Sequence, residues 1–234
     1  MKQALVTGGI KGIGFAVTKM LLQEGYAVTA TYAHDDETAQ KVKIDFPVDV
    51  IKASQECKEQ MQALVAHLRA KGTLDCIVLN AGTTERNGLK GTTDEAWERV
   101  MQVNVNSNMS LVRDLYDIIN PNARIVFMGS MMGVLPHSVS LSYGVSKAAE
   151  IALAKNLVKE FAGMGTTVNV IVPGFVDTDW QKTKPQEIRQ NICNKTALGR
   201  FAEPEEIAEA VRFCVKNAFV NGSVIEIHGG YNYK

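Results

Sequence analysis

Two side chains with complementary proton chemistry stand four residues apart, Tyr143 and Lys147, in the run Leu141-Ser142-Tyr143-Gly144-Val145-Ser146-Lys147. On a helix that spacing puts both on one face, one turn apart. A phenol ordinarily keeps its proton to about pH 10. An ammonium beside it favours the phenolate and lowers that value. The pair reads as a proton donor and acceptor tuned toward neutrality. Tyr and Lys also fall at this spacing on ordinary surface helices, so the pair needs support from the rest of the chain.

Support comes from the other end. Thr7-Gly8-Gly9-Ile10-Lys11-Gly12-Ile13-Gly14 lies between a short apolar run at 3–7 and a helical repeat of Phe15, Val17, Met20, Leu21 and Leu22 that stops at Gly25. Glycines there allow a tight turn and let a pyrophosphate approach the free N–H groups of a helix N-terminus. The plainer reading is a strand-to-helix turn; its place between first strand and first helix favours the dinucleotide reading.

The remaining elements place these groups. Strands are expected at 26–32, 44–48, 74–79, 124–128, 167–172 and 223–227, after the first at 3–7. Helices are expected at 54–70, 93–119, 143–162, 185–195 and 204–216, with a short one opening at His34-Asp35-Asp36-Glu37. Strands and helices alternate, and the strands are nearly continuous apolar runs. That is the pattern of a single α/β domain spanning 1–234, a Rossmann-type doubly wound parallel sheet of about seven strands with helices on both faces. Ligands bind such sheets beyond the carboxyl ends of the strands. Gly8, Asn80, Ser130 and Pro173 each follow a strand, so their motifs are expected at one edge.

Composition narrows the partners. Of 234 residues, 46% are hydrophobic and the formal net charge is zero, so no basic field gathers nucleic acid or anionic lipid. No apolar run approaches the ~18 residues that span a bilayer. Cys57, Cys76, Cys193 and Cys214 form no C-x-x-C pair and read as free thiols of a reducing compartment. The Gly-rich turn follows Met1 so closely that no signal peptide is expected, and the location expected is cytoplasmic. His67, His137 and His228 are scattered without metal-ligand spacing, so no metal is expected.

Taken together, T-G-x-x-x-G-x-G at 7–14, N-A-G at 80–82, Ser130 thirteen residues before Tyr143, Y-x-x-x-K at 143–147, Pro173-Gly174 with Thr178, and the C-terminal Gly222 and Gly229-Gly230 resemble the short-chain dehydrogenase/reductase family over essentially the whole chain. The resemblance implies that Tyr143 exchanges a proton with a carbonyl or alcohol oxygen as hydride moves to or from NAD(P). It implies that Lys147 lowers the Tyr143 pKa and binds the nicotinamide ribose, and that Ser130 hydrogen-bonds the oxygen where charge develops. Asn104 matches the family's helix asparagine that holds a water in the proton relay; Asn106 and Asn108 compete for that role, and a polar residue satisfied within its helix is the plainer reading. For Ser130 the plainer reading is a turn serine. Gly8, Ile10, Lys11, Gly12, Ile13 and Gly14 would hold the pyrophosphate. Asp49 and Val50 resemble the adenine contacts. Asn80, Ala81 and Gly82 would line the adenine ribose, and Pro173, Gly174, Val176 and Thr178 the nicotinamide carboxamide and phosphates.

NADP(H) is favoured and NAD(H) stays open. The second strand ends Thr31-Tyr32-Ala33 without the acidic residue that bonds a ribose 2′-OH, and Lys11 supplies a cation. Asp35, Asp36 and Glu37 would repel a 2′-phosphate, unless they serve a helix N-terminus. The chain departs from the family in a short second helix-and-strand unit at 34–47, in Ile10, and in Leu79 before Asn80. Met131, Met132, Val134, Leu135 and His137 read equally as core or as substrate wall. Trp97 reads as packing, and Trp180 with 185–195 as a lid.

Among family members the chain looks most like the 3-oxoacyl-[acyl-carrier-protein] reductases. The expected partners are a small-molecule or acyl-thioester substrate, acyl carrier protein as an open possibility, and three further copies in a homotetramer paired through 93–119 and 143–162. A reductase of a small alcohol, sugar or cyclic ketone is the enzyme alternative. A dinucleotide-binding sensor or scaffold without turnover is the alternative of another class.

Overall fold

The computed structural model describes residues 1–136 and 140–233. Among them the strands β1 (Gln3–Val6), β2 (Ala27–Tyr32), β3 (Val48–Lys52), β4 (Leu74–Leu79), β5 (Ile119–Met128), β6 (Thr167–Pro173) and β7 (Val224–Ile227) form one sheet in the order β3-β2-β1-β4-β5-β6-β7. Every pairing is parallel. β6 is buried along its whole length, which explains its unbroken apolar character.

Helices cover both faces. On one, α1 (Gly12–Gln23) brings Val17 and Leu21 against Ile207 and Val211 of the C-terminal helix Pro204–Lys216. On the other, α3 (Lys58–Lys71) brings Leu64 and Leu68 into a core shared with Leu111, Leu115 and Phe161. Between β2 and β3, α2 (Asp36–Asp45) is capped by Asp35, whose carboxylate accepts from the Thr38 N–H at 3.0 Å, with Asp36 and Glu37 in its first turn.

Three boundaries differ from expectation. The third strand lies four residues later than 44–48. Ile44 is 72% exposed on the last turn of α2, whereas Val48 and Val50 pair with Val28 and Ala30 and enter a small core with Val42. The stretch 93–119 is not one helix. After α4 (Gly88–Gly91) it runs as α5 (Asp94–Met101), a π-helical turn Gln102–Asn106, α6 (Ser107–Leu115) and a 3₁₀ turn Tyr116–Ile118, and Ile119 already begins β5. The helix expected from Ser54 begins at Lys58, because Ser54 and Gln55 stay in the connection after β3.

After β5 come a 3₁₀ turn Met131–Gly133 and α7 (Leu141–Glu160). After β6 come α8 (Asp179–Lys182), α9 (Gln186–Lys195) and α10 (Pro204–Lys216). No helix among the described residues is long and apolar enough to cross a membrane.

Candidate active site

The glycine turn after β1 is built for close approach. Gly8 and Gly12 have φ of +63° and +56°, which side chains disfavour. A methyl group on Gly14 would run into the Gly8 carbonyl oxygen. Thr7, almost fully buried, accepts from the backbone N–H groups of Asn80 at 2.9 Å and Ala81 at 3.0 Å, and the Asn80 amide donates to the Thr7 carbonyl at 3.0 Å. These bonds clamp the turn after β4 to the turn after β1. At the N-terminus of α1, Lys11 makes no side-chain cap and no acidic residue occupies the first turn. The free N–H groups and the positive end of the helix dipole are left for an anion. Four features together fit a dinucleotide pyrophosphate: glycines that admit a close ligand, free N–H groups, Lys11, and Thr178, whose methyl faces Gly12.

Asn104 sits in the π turn, fully buried. Its carbonyl oxygen accepts from the Thr83 N–H at 2.8 Å, and its amide donates to the Thr83 carbonyl at 3.0 Å and to Ser146 Oγ at 2.8 Å. One side chain thus ties the segment after β4 to α7, behind the cleft wall rather than in it. The extra residue of a π turn re-aims the side chains around it, which gives such turns their use at sites. Asn106 is exposed, while Asn108 is buried and donates to the Asn104 carbonyl at 2.8 Å.

Tyr143 and Lys147 share one face of α7, with Lys147 Nζ 5.7 Å from the phenol ring centre. Lys147 is 3% exposed; its ammonium donates to the Met128 carbonyl at 2.8 Å and to both carboxylate oxygens of Glu150, at 3.1 and 2.9 Å. Burial disfavours that ammonium, but the Glu150 carboxylate, with Tyr143 after it, outweighs burial and holds the amine above its ordinary pKa. Burial pushes the Glu150 carboxyl up to about 7 against the pull of Lys147. Ser130 closes β5, and its Oγ accepts from the Met132 N–H at 3.2 Å. Its own proton remains to be donated elsewhere. Gly133 rests directly on the backbone of Lys147 and Ala148.

A cleft of about 1220 Å³ runs along the carboxyl edge of the sheet. Gly8, Ile10, Lys11, Gly12, Ile13, Gly14, Asn80, Ala81, Gly82, Ser130, Tyr143, Lys147, Pro173, Gly174, Val176 and Thr178 all line it. Met131, Met132 and Trp180 line it too, with Trp180 6.3 Å from the Tyr143 ring, and α9 contributes Ile188, Asn191, Ile192 and Lys195. His137 lies outside the described residues. Asp49 and Val50 require correction: they lie inside β3, not after it. The Asp49 carboxylate binds His67 and Lys71 at 2.6 and 2.7 Å, and Val50 is core. Ala53, Ser54 and Gln55 occupy the cleft end of that strand instead.

The acids after β2 are engaged elsewhere. Asp35 caps α2 and pairs with Lys11 at 3.2 Å; Asp36 accepts from Tyr32 and Lys52. Residues unmarked in the sequence also reach the cleft, notably Arg86 and Lys184. The other carboxylates of the lining are paired, Glu56 with Arg99 and Asp179 with Lys182. Among the described residues Arg86 and Lys184 have no carboxylate partner, and burial together with Arg86 lowers the Lys184 pKa. No periodicity marks a loop cation as a cleft residue, so neither was legible.

A family model described as enoyl-(acyl carrier protein) reductase matches residues 8–232. An acetoacetyl-CoA reductase of Rhizobium meliloti is 33% identical over 97% of each chain, and a 3-oxoacyl-[acyl-carrier-protein] reductase FabG of Thermotoga maritima is 32% identical over 98% of this chain and 97% of its own. Among solved structures, a short-chain dehydrogenase/reductase from Serratia marcescens superposes with TM-score 0.92 at 30% identity, covering 99% of this chain and 98% of its own. A Burkholderia cenocepacia short chain dehydrogenase in complex with NADP gives 0.91 at 28%, covering 98% and 97%. With its glycine turn and its Tyr-x-x-x-Lys helix opening on one cleft, the chain belongs to the short-chain dehydrogenase/reductase family, whose members are oxidoreductases that bind a nicotinamide dinucleotide.

Proposed function

We propose that this protein reduces 3-oxoacyl thioesters with NADPH, the chain from 1 to 234 serving as one dinucleotide-binding domain. The observation that carries the reading is that Ser130 and Tyr143 line the same cleft as the uncapped N-terminus of α1. The bound nicotinamide supplies the hydride. Ser130, fixed by the Met132 N–H on its oxygen, donates to the carbonyl oxygen of the substrate. Tyr143 donates to the same oxygen and gives up its proton as charge develops there. Lys147, kept as an ammonium by Glu150, stabilises the phenolate left behind and offers a donor to the ribose. Asn104 holds the Thr83 segment against α7 and so positions both. Gly8 to Gly14, Asn80 to Gly82 and Pro173 to Thr178 hold the dinucleotide, with Ser54 and Gln55 at its adenine end in place of Asp49 and Val50.

NADPH is favoured over NADH because Asp35 is engaged in capping α2 and Asp36 is held by Tyr32 and Lys52, while Lys11, paired with Asp35 at 3.2 Å, lines the cleft as a cation for a 2′-phosphate. A thioester is favoured because Arg86 and Lys184 stand without carboxylate partners, as suits the phosphates of coenzyme A or a phosphopantetheine arm. Acyl carrier protein is therefore a candidate donor of the substrate. The apolar Met109, Tyr116 and Val145, exposed on α6, its following turn and α7, support a homotetramer assembled through these helices, which light scattering tests. Free thiols at all four cysteines support a cytoplasmic setting.

The test is NADPH oxidation with acetoacetyl-CoA, the same acyl group on N-acetylcysteamine, crotonyl-CoA, and a panel of simple ketones and sugars. Preference for acetoacetyl-CoA, reduced by Arg86→Glu and Lys184→Glu, supports the reading. Turnover confined to simple ketones, to sugars, or to crotonyl-CoA, whose C=C the matching family description suggests, overturns the substrate. Tight cofactor binding without turnover on any of them overturns the enzyme.

A further inference from the structure

Glu150 is absent from the motifs that marked the cleft, yet it is among the most enclosed charged groups of the protein, 0% exposed on the inner face of α7. A carboxylate so placed has to be paired and hydrogen-bonded to remain charged. Its partners form a line. Gln55 Nε2 donates to Asn108 Oδ1 at 2.9 Å; Asn108 Nδ2 donates to Glu150 Oε1 at 3.3 Å; both Glu150 oxygens accept from Lys147. Gln55 itself lines the cleft where the connection after β3 reaches it. The line therefore leaves the cleft near one end, passes through the protein behind Asn104, and returns at Lys147.

We propose that Glu150 is a positioning residue for the reaction: it is the counter-ion that keeps Lys147 an ammonium and fixes where its third N–H points, with Asn108 and Gln55 anchoring the carboxylate from behind. This rests on the reading of Lys147 given above. An ammonium has three donors. In the proposed arrangement the two Glu150 oxygens share one N–H and Met128 takes another, so the third is left for the cleft, aimed by the other two. The groups that act on the pair come from every element packed around it. From α7 these are Tyr143 and the Lys147–Glu150 pair itself; from β5 the Met128 carbonyl; from the π turn and α6 the neutral Asn104 and Asn108; from the connection after β3 the neutral Gln55. Glu150 is the only carboxylate in that set. Without it, burial of the ammonium is opposed by Tyr143 alone, so Lys147 loses its proton at lower pH.

The test combines turnover with stability of the full chain. Glu150→Gln should lower kcat by ~10- to 100-fold with little change in substrate KM. It should also move the alkaline limb of the kcat profile down by about one pH unit or more, and Glu150→Asp should restore much of both. In thermal unfolding, Glu150→Leu and Lys147→Met should each lower Tm by roughly 10 °C, and the double variant should recover most of that, because an unpaired buried charge is what destabilises. Wild-type kcat and pH profile in Glu150→Gln, or additive losses in the double variant, overturn the proposal. Should Glu150→Leu not fold, folding of the double variant supports it and failure of both overturns it. Tyr143→Phe separates this from the proposed function: if that variant turns over normally the function fails, whereas its loss beside an unaffected Glu150→Gln sinks only the counter-ion role.

Discussion

Gly133→Ala is expected to injure catalysis more than cofactor binding. A methyl group there would lie 2.7 Å from the carbonyl carbon of Lys147 and 2.8 Å from the N of Ala148. Both are helix backbone and cannot rotate away. To reach the 3.4 Å at which ordinary contact begins, the 3₁₀ turn after Ser130 must separate from α7 by about 0.7 Å. Ser130 stands on one side of that gap and Tyr143 and Lys147 on the other, so the shift spreads the two hydroxyls proposed to share one substrate oxygen. Displacements of about 1 Å at reacting groups cost on the order of 100-fold in rate. A 10- to 100-fold fall in kcat is therefore expected, with an overpacking cost of about 1–3 kcal/mol in stability. The glycine turn lies on β1, across the cleft, so the Kd for NADPH, read by quenching of protein fluorescence, should change less than about threefold. A kcat within twofold of wild type, in a variant whose Tm has fallen, would refute the reasoning.

Two further outcomes follow from charges. Lys11→Glu should weaken NADPH far more than NADH, by about tenfold or more in the ratio of Kd values, because it places a carboxylate beside Asp35 where a cation stood; equal losses in the two titrations remove Lys11 from the site. Glu206 accepts from the backbone N–H of Glu203 at the start of α10 and takes both guanidinium nitrogens of Arg200 at 2.7 Å, which hold its carboxyl down from 4.5 to about 2. A carboxyl lowered on folding stabilises above its unfolded pKa and loses that effect as pH falls through the folded one. Glu206→Gln should therefore cost about 1 kcal/mol at pH 7, and the deficit against wild type should shrink between about pH 4.5 and 2 in denaturant melts; a deficit independent of pH would contradict the assignment.

Much of this architecture is written in local patterns. Gly8, Gly12 and Gly14 announce the turn because only a residue without a side chain fits there, and Pro204 with Glu206 marks the start of α10 to the residue. The third strand was misplaced because Ile44, Asp45 and Phe46 imitate a strand, whereas a helix that leaves Ile44 in water and sends Phe46 edge-on against Phe15 depends on contacts far along the chain. That error carried Asp49 and Val50 into the cleft and hid Ser54 and Gln55. Glu150 was hidden for a different reason. A Glu three residues after a Lys usually marks a solvated helix face, and nothing local tells that this face meets β5 and the π turn. Arg86 and Lys184 stand on connections, where position is set by the elements they join.

The order of the strands also bears on how the molecule comes into being. The first strand made lies inside the sheet, and its second neighbour is β4, with Ala4 opposite Cys76, some seventy residues later. During synthesis, β1, β2 and β3 can gather as soon as they emerge, but one flank of β1 stays unpaired until residue 79 is free of the ribosome. From there β5, β6 and β7 add outward in turn. A chain ending after β5 would present the unpaired backbone edge of residues 124–128, which β6 covers in the finished sheet. Parallel edges waiting for distant partners fold slowly and attract other chains. Nascent chains halted after residue 128 should therefore depend on chaperones far more than the finished protein does.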